Sequence, residues 1–470
     1  MAYGQVQVLA ILMIISDKIY IDLDAEPVAP EILDELVYDN PEYYSKLNMG
    51  ISVYNVPKQI KTYEMKDRTL KIMRGEAMKV KKFIGHHQYN FSHSDHPVKL
   101  QYINNEFDLD EHQKSAVSAI KSKRQGIIHA VTSAGKSVII LKAIVELGQK
   151  ALIIVHRKVL MEQLLEDIKK YIRDENGKEI KPGIIGNGKK DIGDITIAID
   201  KTLSTNLEAY KEQFGTVFLD ECHLAPATTM FSLVNGINSR YRFGVTGTLK
   251  RKDQKDFLIY STFGEVIFKI SREELEKEGR VVPVEIEIIE SETKFDWDSV
   301  VTGLTESGHK NPTTGARHLQ EKTIMLDPAR NNLILRTVAK KKGKTIVLSR
   351  YVEPCLKLQE RLENEFGIKA GIITGRDSKQ ALESYNAMKH ADMQVIFATI
   401  GCVSTGVSIS DLDNIVLISP LYTNELLLHQ IRGRLFRTFP GKEFGTLSFI
   451  YDQYIFPEWK LKKFINIMKK

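Results

Sequence analysis

Apolar positions along this chain fall into short unbroken runs separated by spacers of helix length. The first series is Ile127-Ile128, Ala151-Leu-Ile-Ile-Val155, Ile195-Thr-Ile-Ala-Ile199, Thr216-Val-Phe-Leu219 and Tyr241-Arg-Phe-Gly-Val245. Such runs mark strands covered on both faces, the habit of parallel sheets. Several end in polar residues: His156-Arg157, Asp200-Lys-Thr202, Asp220-Glu221 and Thr246-Gly-Thr248. In a parallel sheet these groups gather on one edge, where α/β proteins bind ligands. The spacers predict helices over Lys114 to Ile120 and Val138 to Leu147. A second series repeats the rhythm in Thr345-Ile-Val-Leu-Ser349-Arg350, Ala370-Gly-Ile-Ile-Thr374-Gly375, Gln394-Val-Ile-Phe-Ala-Thr399 and Asn414-Ile-Val-Leu-Ile-Ser419. The pattern predicts an α/β chain with two doubly wound parallel-sheet domains, at about residues 106–282 and 283–470.

Residues 1–105 read differently, with tyrosines, lysines and short β-like runs, and predict a small α+β domain. Lys79-Val-Lys-Lys82 with Tyr43, Tyr44, Tyr54 and Tyr63 suits contact with phosphates and bases, and equally suits a solvated basic face. The run Val6-Gln-Val-Leu-Ala-Ile-Leu-Met-Ile-Ile15 is too short to span a bilayer and reads as a buried strand. It lacks the flanks of a signal peptide. His86, His87, His93 and His96 lack helical metal-ligand spacing and read as a polar linker. Residues 295–325 are polar, with Gly303, Gly308, Pro312 and Gly315, and read as a long functional or mobile loop. Basic residues follow at Lys250-Arg-Lys252 and Lys255, and at Lys340-Lys-Lys-Gly-Lys344.

A length of 470 residues exceeds one hydrophobic core, and the net charge of +6 permits a nucleic-acid partner without demanding one. Cys222, Cys355 and Cys402 lie far apart without metal spacing, which favours a reducing compartment, the cytoplasm.

The chemistry concentrates in two stretches. His129-Ala-Val-Thr-Ser-Ala-Gly-Lys-Ser137 reads as strand, tight loop and helix start. Backbone N–H groups of such a loop surround phosphates, Lys136 adds a point charge, and the Ser137 hydroxyl can ligate Mg²⁺. Ala130 stands where this pattern usually has Gly. Thr216-Val-Phe-Leu-Asp220-Glu-Cys-His223 places Asp220 to hold the metal and Glu221 to activate water, so the pair points to metal-assisted phosphoanhydride hydrolysis. Asp110-Glu111-His112 has similar letters but no preceding apolar strand, and reads as surface at a helix start. Gln113 has the donor and acceptor to read an adenine edge; alone, it reads as an exposed helix-start residue. Gln430-Ile-Arg-Gly433-Arg434-Leu-Phe-Arg437 reads as a helix with Arg434 and Arg437 on one face.

Together these motifs resemble superfamily 2 helicases. The ordered set is Gln113; Thr132-Ser-Ala-Gly-Lys-Ser137; Arg157; Asp200-Lys-Thr202; Asp220-Glu-Cys-His223; Thr246-Gly-Thr248; Ser349-Arg350; Thr374-Gly375; Thr399 to Gly406; and Gln430 to Arg437. The third motif departs from Ser-Ala-Thr, and the Asp-Glu-Cys-His second motif differs from the Asp-Glu-Ala-Asp of DEAD-box proteins. The softer signals Asn40-Pro-Glu-Tyr-Tyr44, Met49-Gly-Ile-Ser52, Arg74-Gly75 and Gly244-Val-Thr-Gly-Thr-Leu249 resemble phage branch-migration helicases of the UvsW kind.

The resemblance implies two RecA-like domains with ATP between them. It assigns Gln113, Thr132, Ser133, Ala134, Gly135, Lys136 and Ser137 to the nucleotide, and Ser137 with Asp220 to Mg²⁺. The implied catalytic set is Lys136, Asp220, Glu221, Gln430, Arg434 and Arg437, the last two as arginine fingers. His223, Thr246 and Thr248, with Gln430, would couple hydrolysis to movement. Arg157, Thr202, Ser349, Arg350, Thr374 and Thr399 would grip one DNA strand by its backbone. The implied protein is a monomeric cytoplasmic enzyme, without a membrane partner, that unwinds or branch-migrates forks and four-way junctions for recombination, replication and repair. Residues 1–105 would select the DNA structure. Wedge candidates are that segment, residues 295–325 and a basic C-terminal helix from Trp459 to Lys470. Two alternatives remain open: a double-strand translocase that separates little, and a junction-binding protein with a vestigial ATPase.

Overall fold

A computed structural model describes the chain except residues 1–12, 25–29, 85–88, 104–107, 132, 224–228, 252, 375–377, 391, 404–411, 420–427, 429–430, 437, 439–440 and 470. It divides into two compact units, residues 1–271 and 272–470. Among the described residues no helix is long and apolar enough to cross a membrane.

The first unit opens with a small mixed sheet of β1 (Met13–Ile15), β2 (Lys18–Asp22), β3 (Tyr63–Lys66), β4 (Thr69–Met73) and β5 (Tyr89–Phe91), in the order β3-β4-β2-β1-β5. Asp67 and Arg68 both take positive φ, +48° and +63°, so a two-residue turn closes the β3–β4 hairpin. Alternate residues Ile19, Ile21, Leu70 and Ile72 point to one face and form a core with Ile32, Leu36 and Val80. Helix α1 (Pro41–Asn48) buries no residue; Asn40 caps it through Glu42 N at 3.2 Å. His93 and His96 lie half-buried in the irregular connecting segment after β5. The His96 backbone N–H donates to Gln149 Oε1 at 2.7 Å, and burial with Arg74, Arg124 and Arg242 nearby pushes His93 down to about 3.

The large sheet follows: β6 (Gln125–Ala130), β7 (Ala151–Val155), β8 (Gly183–Gly186), β9 (Lys189–Asp191), β10 (Ile195–Ile199), β11 (Thr216–Asp220), β12 (Tyr241–Thr246) and β13 (Val266–Ile270). Its order is β9-β8-β10-β7-β11-β12-β6-β13, parallel except for the β8–β9 hairpin. The strand residues Leu152, Ile154, Ala198, Val217 and Leu219 enter one fully buried cluster. Helices α2 (Glu111–Ser122), α3 (Lys136–Leu147), α4 (Lys158–Tyr171), α5 (Asp200–Ser204) and α6 (Phe257–Phe263) connect the strands.

The second unit is a six-stranded, all-parallel sheet. It comprises β14 (Val284–Ser291), β15 (Lys344–Ser349), β16 (Ala370–Ile373), β17 (Val395–Thr399), β18 (Leu412–Leu417) and β19 (Gly445–Asp452), in the order β14-β19-β18-β15-β17-β16. Residues 295–325 are not a loop. They form a helical hairpin of α7 (Trp297–Glu306) and α8 (Pro312–Leu326). Pro312 stands at a helix start, where its missing N–H costs nothing. Gly315 serves packing: a Cβ there would sit 3.0 Å from Leu304 Cδ1. Helices α9 (Pro328–Lys340) and α10 (Val352–Phe366) cover one face of the sheet with Ile334, Leu335, Leu358 and Leu362. On the other, α11 (Glu458–Lys469) joins Ile431 and Leu435 over Leu447 and Phe449.

Candidate functional site

The phosphate loop leaves β6 at Ala130, a fully buried position where a small side chain fits. Ser133 (φ +75°) and Gly135 (φ +73°) turn the backbone left-handed before α3 begins at Lys136. The positive φ favours glycine at 135, and a Cβ there would also displace the Gln113 side-chain amide, which lies against it. Gln113 is therefore no exposed helix-start residue. It is buried, accepts the Asp110 N–H at 3.1 Å as part of a capping box, and lies against the loop. His112 is buried too, and its Nε2–H donates to the Ala134 carbonyl at 3.0 Å. The Asp110-Glu111-His112 stretch does open a helix, with Glu111 exposed, but His112 turns inward and braces the loop, a role invisible without the fold.

At the end of β11, the Glu221 backbone N–H donates to Asp220 Oδ1 at 2.9 Å. Glu221 takes φ +49°, an uncommon conformation for a residue with a Cβ, and strain of this kind concentrates at functional positions. Its Oε1 accepts from Lys136 Nζ at 2.6 Å. Burial works against the Lys136 ammonium, but Glu221 and Asp220 more than offset it and raise its pKa. Burial likewise pushes Glu221 up, and Lys136 and His223 outweigh it, leaving a carboxylate below its usual range. Asp220 goes the other way, up to about 6, through burial and the neighbouring Glu221 charge.

From Glu221 a hydrogen-bonded path leads into the third motif. His223 Nδ1 lies 3.3 Å from Glu221 Oε2 and 2.6 Å from Thr246 Oγ1. Thr246 Oγ1 donates to the Thr248 carbonyl at 2.6 Å and accepts the Thr248 N–H at 3.2 Å, so His223 donates to it from Nδ1. Burial lowers His223 to about 4, consistent with a neutral ring. Arg251, one of the basic residues of Lys250-Arg-Lys252, is buried. It donates to the His223 carbonyl at 3.2 Å and engages Asp253 with Nε and Nη2 at 2.9 and 2.8 Å. Only its spacing from Asp253 hinted at this.

The residues assigned to the strand are differently disposed. In the first unit Arg157 is exposed at the N-cap of α4, and Thr202 is half-buried on α5. In the second, Ser349 is buried and accepts the Tyr351 N–H at 3.1 Å, while the Arg350 backbone N–H donates to Ser419 Oγ at 2.6 Å. The Arg350 guanidinium meets Glu321 of α8 at 3.4 Å, and the Tyr351 hydroxyl donates to the same carboxylate. Thr374 is half-buried; Thr399 is nearly buried, with its hydroxyl 3.2 Å from Cys402 Sγ. Buried Arg330, not anticipated, clamps the ends of β18 and β19 through Asp452 (2.6 Å) and the Ile418 carbonyl (2.9 Å). Thr132, Gly375, Ser404 to Gly406, Gln430 and Arg437 lie outside the described residues. Residues 433–436 form a turn rather than a helix, so Arg434 is half-buried on a turn. Its neighbour Arg432 is buried, 5.0 Å from the Phe436 ring.

Comparison with known proteins agrees with this arrangement. Residues 106–251 match the family model of the type III restriction enzyme res subunit, and residues 329–438 match the helicase conserved C-terminal domain. Together the two matches cover more than half of the chain. The chain belongs to the superfamily 2 helicases. It is similar to the ATP-dependent DNA helicase uvsW of Enterobacteria phage T4, 25% identical over 371 residues, 75% of this chain and 71% of that protein. It is also similar to the DNA 3'-5' translocase XPB2 of Sulfurisphaera tokodaii, 31% identical over 173 residues, 37% of this chain and 38% of that one. Among solved structures, the ATP-dependent Type ISP restriction-modification enzyme LlaBIII bound to DNA shares the fold at 15% identity, with a TM-score of 0.53 over 77% of this chain and 29% of that chain. The helicase is an ATP-hydrolysing enzyme of the helicase and translocase kind.

Proposed function

We propose that this helicase unwinds or branch-migrates forked and four-way DNA junctions, tracking along one strand as a monomer in the cytoplasm. The observation that carries the chemistry is the contact of Lys136 with Glu221 at 2.6 Å, which joins the phosphate loop to the carboxylate end of β11. Ser137 and Asp220 offer the hard oxygen donors that Mg²⁺ prefers, and the raised pKa of half-buried Asp220 fits a position completed by a cation. When bound, Mg²⁺ supplies charge neutralisation at the phosphates. Lys136 and the loop amides from Ser133 to Ser137 hold phosphate oxygens, and Gln113 holds the base. Glu221, once Lys136 turns to phosphate, orients the attacking water and takes its proton. His223, Thr246 and Thr248 carry the change at Glu221 into the loop that Arg251 braces. Arg434 and Arg437 neutralise charge on the transferring phosphoryl, and Gln430 acts with them. Arg157, Thr202, Ser349, Arg350, Thr374 and Thr399 hold the DNA backbone, which gives affinity without sequence reading.

Residues 1–105 select the substrate in this proposal, residues 106–282 hold the nucleotide and residues 283–470 supply the arginines. Support for substrate selection comes from the segment after α1, which holds Met49 (70% exposed), Ile51 (51%) and Tyr54 (93%) in solvent. Exposed apolar side chains of this kind suit unpaired or splayed bases. The test measures ATP turnover with single strands, duplex, forks, four-way junctions and RNA side by side, with strand displacement followed in parallel. Branched DNA is expected to stimulate most and to be separated. Equal stimulation by plain duplex without displaced strands favours the translocase alternative. Arg437→Ala is expected to lower turnover at least tenfold with a smaller change in ATP affinity, because such charge acts mainly in the transition state. An unchanged turnover number removes it from the catalytic set.

A further inference from the structure

Helix α11 is anchored by Phe464, Ile467 and Met468, and the Phe464 ring stacks on Phe449 with centroids 4.4 Å apart. Its opposite side is unlike an ordinary solvated face. Trp459 is 61% exposed, and Tyr454, in the turn before the helix, is 59% exposed. A lysine stands beside each ring. Lys294 Nζ lies 5.2 Å from the Tyr454 ring centroid, and Lys460 Nζ lies 5.7 Å from Trp459 and 5.4 Å from Phe456. Exposed Lys462 and Lys463 continue the basic surface. The helix carries a single acid, Glu458, which Lys462 engages at 2.9 Å.

Large aromatic faces are ordinarily withdrawn from water, and two left open among lysines have one evident chemical complement. We propose that the Tyr454–Trp459 surface is an accessory site for single-stranded DNA, with bases stacking on the two rings and Lys294, Lys460 and Lys463 meeting the phosphates. The combination supplies both halves of sequence-tolerant strand binding, stacking and backbone charge. Neither Tyr454 nor Trp459 belongs to a motif assigned to ATP or to the strand grip. Yet α11 shares its core with Ile431 and Leu435, which frame the Arg434 turn, so a strand held here is held next to a segment the catalytic proposal uses. The inference rests on the reading that DNA is the substrate.

The sequence has two tryptophans, Trp297 and Trp459, so the full-length Trp297→Phe protein reports from Trp459 alone. Titration with a thymidine oligonucleotide, a blunt DNA hairpin and a uridine oligonucleotide is expected to change Trp459 emission saturably with the DNA strand and little with the hairpin. Trp459→Ala is expected to weaken strand binding roughly fivefold or more, the loss of one base stack. Lys460→Ala with Lys463→Ala is expected to flatten the dependence of log affinity on log salt by about 0.7 per lost phosphate contact. DNA-independent ATP turnover stays at the wild-type value in all these proteins. Strand binding seen by anisotropy of a labelled oligonucleotide, with silent Trp459 emission and unchanged affinity in Trp459→Ala, overturns the site while leaving the substrate reading intact. No strand binding by anisotropy overturns both. A response to the uridine strand alone overturns the choice of DNA.

Discussion

Glu221→Gln is expected to bind ATP and turn it over roughly a hundredfold to ten-thousandfold more slowly, the usual loss when a positioned base is removed. Lys136→Ala is expected to lose turnover as well, together with much of the affinity for nucleotide, because the phosphate charge has no point partner. The structure adds a second readout. Lys136 and Glu221 satisfy one another at 2.6 Å, with side chains only 16% and 20% exposed. Removing the lysine leaves Glu221 beside Asp220, two carboxylates sharing a largely buried pocket, whereas the amide introduced by Glu221→Gln still offers Lys136 an acceptor. Lys136→Ala should therefore lower the melting temperature of the nucleotide-free protein more than Glu221→Gln does. Phosphate release, a fluorescent nucleotide titration and thermal melts separate the three effects. Wild-type turnover in both proteins refutes the assignment of the site.

Much of this architecture is legible in the sequence because it rests on local rules. Runs such as Ala151 to Val155 are strands with every residue buried, since a parallel sheet covered on both faces tolerates nothing else there. The phosphate loop is legible because Gly135, Lys136 and Ser137 must be adjacent to work. What stayed hidden depends on contacts between distant segments. Pro312 and Gly315 carry the same letters in a loop as at a helix start and a close helix crossing, so the α7–α8 hairpin read as irregular. His112 reads as polar surface until the Ala134 carbonyl appears above it, and Arg251 reads as one of several basic residues until the His223 carbonyl does. Arg330 and Asp452 are far apart in sequence and meet only because β18 and β19 are neighbours.

The largest hidden feature is the seam between the N-terminal segment and the parallel sheet, and it sets the second expected result. Gly75→Ala should lower the melting temperature by several degrees. Gly75 does not lie at positive φ, so alanine carries no backbone penalty there; the obstacle is steric. A Cβ would collide with the Tyr260 carbonyl oxygen and sit 2.5 Å from the Ser261 carbonyl carbon, backbone atoms of α6 that cannot swing away. Overpacking of this kind costs about 1–3 kcal/mol, which for domains of this size corresponds to roughly 2–12 °C. The neighbours show why the seam cannot simply reopen. Arg74 is buried and donates to the carbonyls of Ser16 (3.3 Å), Ser239 (2.5 Å) and Arg240 (2.8 Å). Arg242, fully buried on β12, reaches back to the Asp17 carbonyl at 3.0 Å. Tyr38 stacks on Phe257 of α6 with centroids 4.2 Å apart, and Ser261 Oγ donates to Glu76 Oε1 at 2.5 Å. A protein beginning near Asn105 would strip one of three acceptors from buried Arg242, leaving Asn235 and the Ile237 carbonyl, and bare Phe257, so deletion is a poor way to ask what residues 1–105 do; it confounds substrate choice with folding. Gly75→Ala asks the structural question by itself. A wild-type melting temperature would show that the N-terminal segment moves freely against α6. A lowered melting temperature with ATP turnover retained below the transition assigns the seam to holding the N-terminal segment in place.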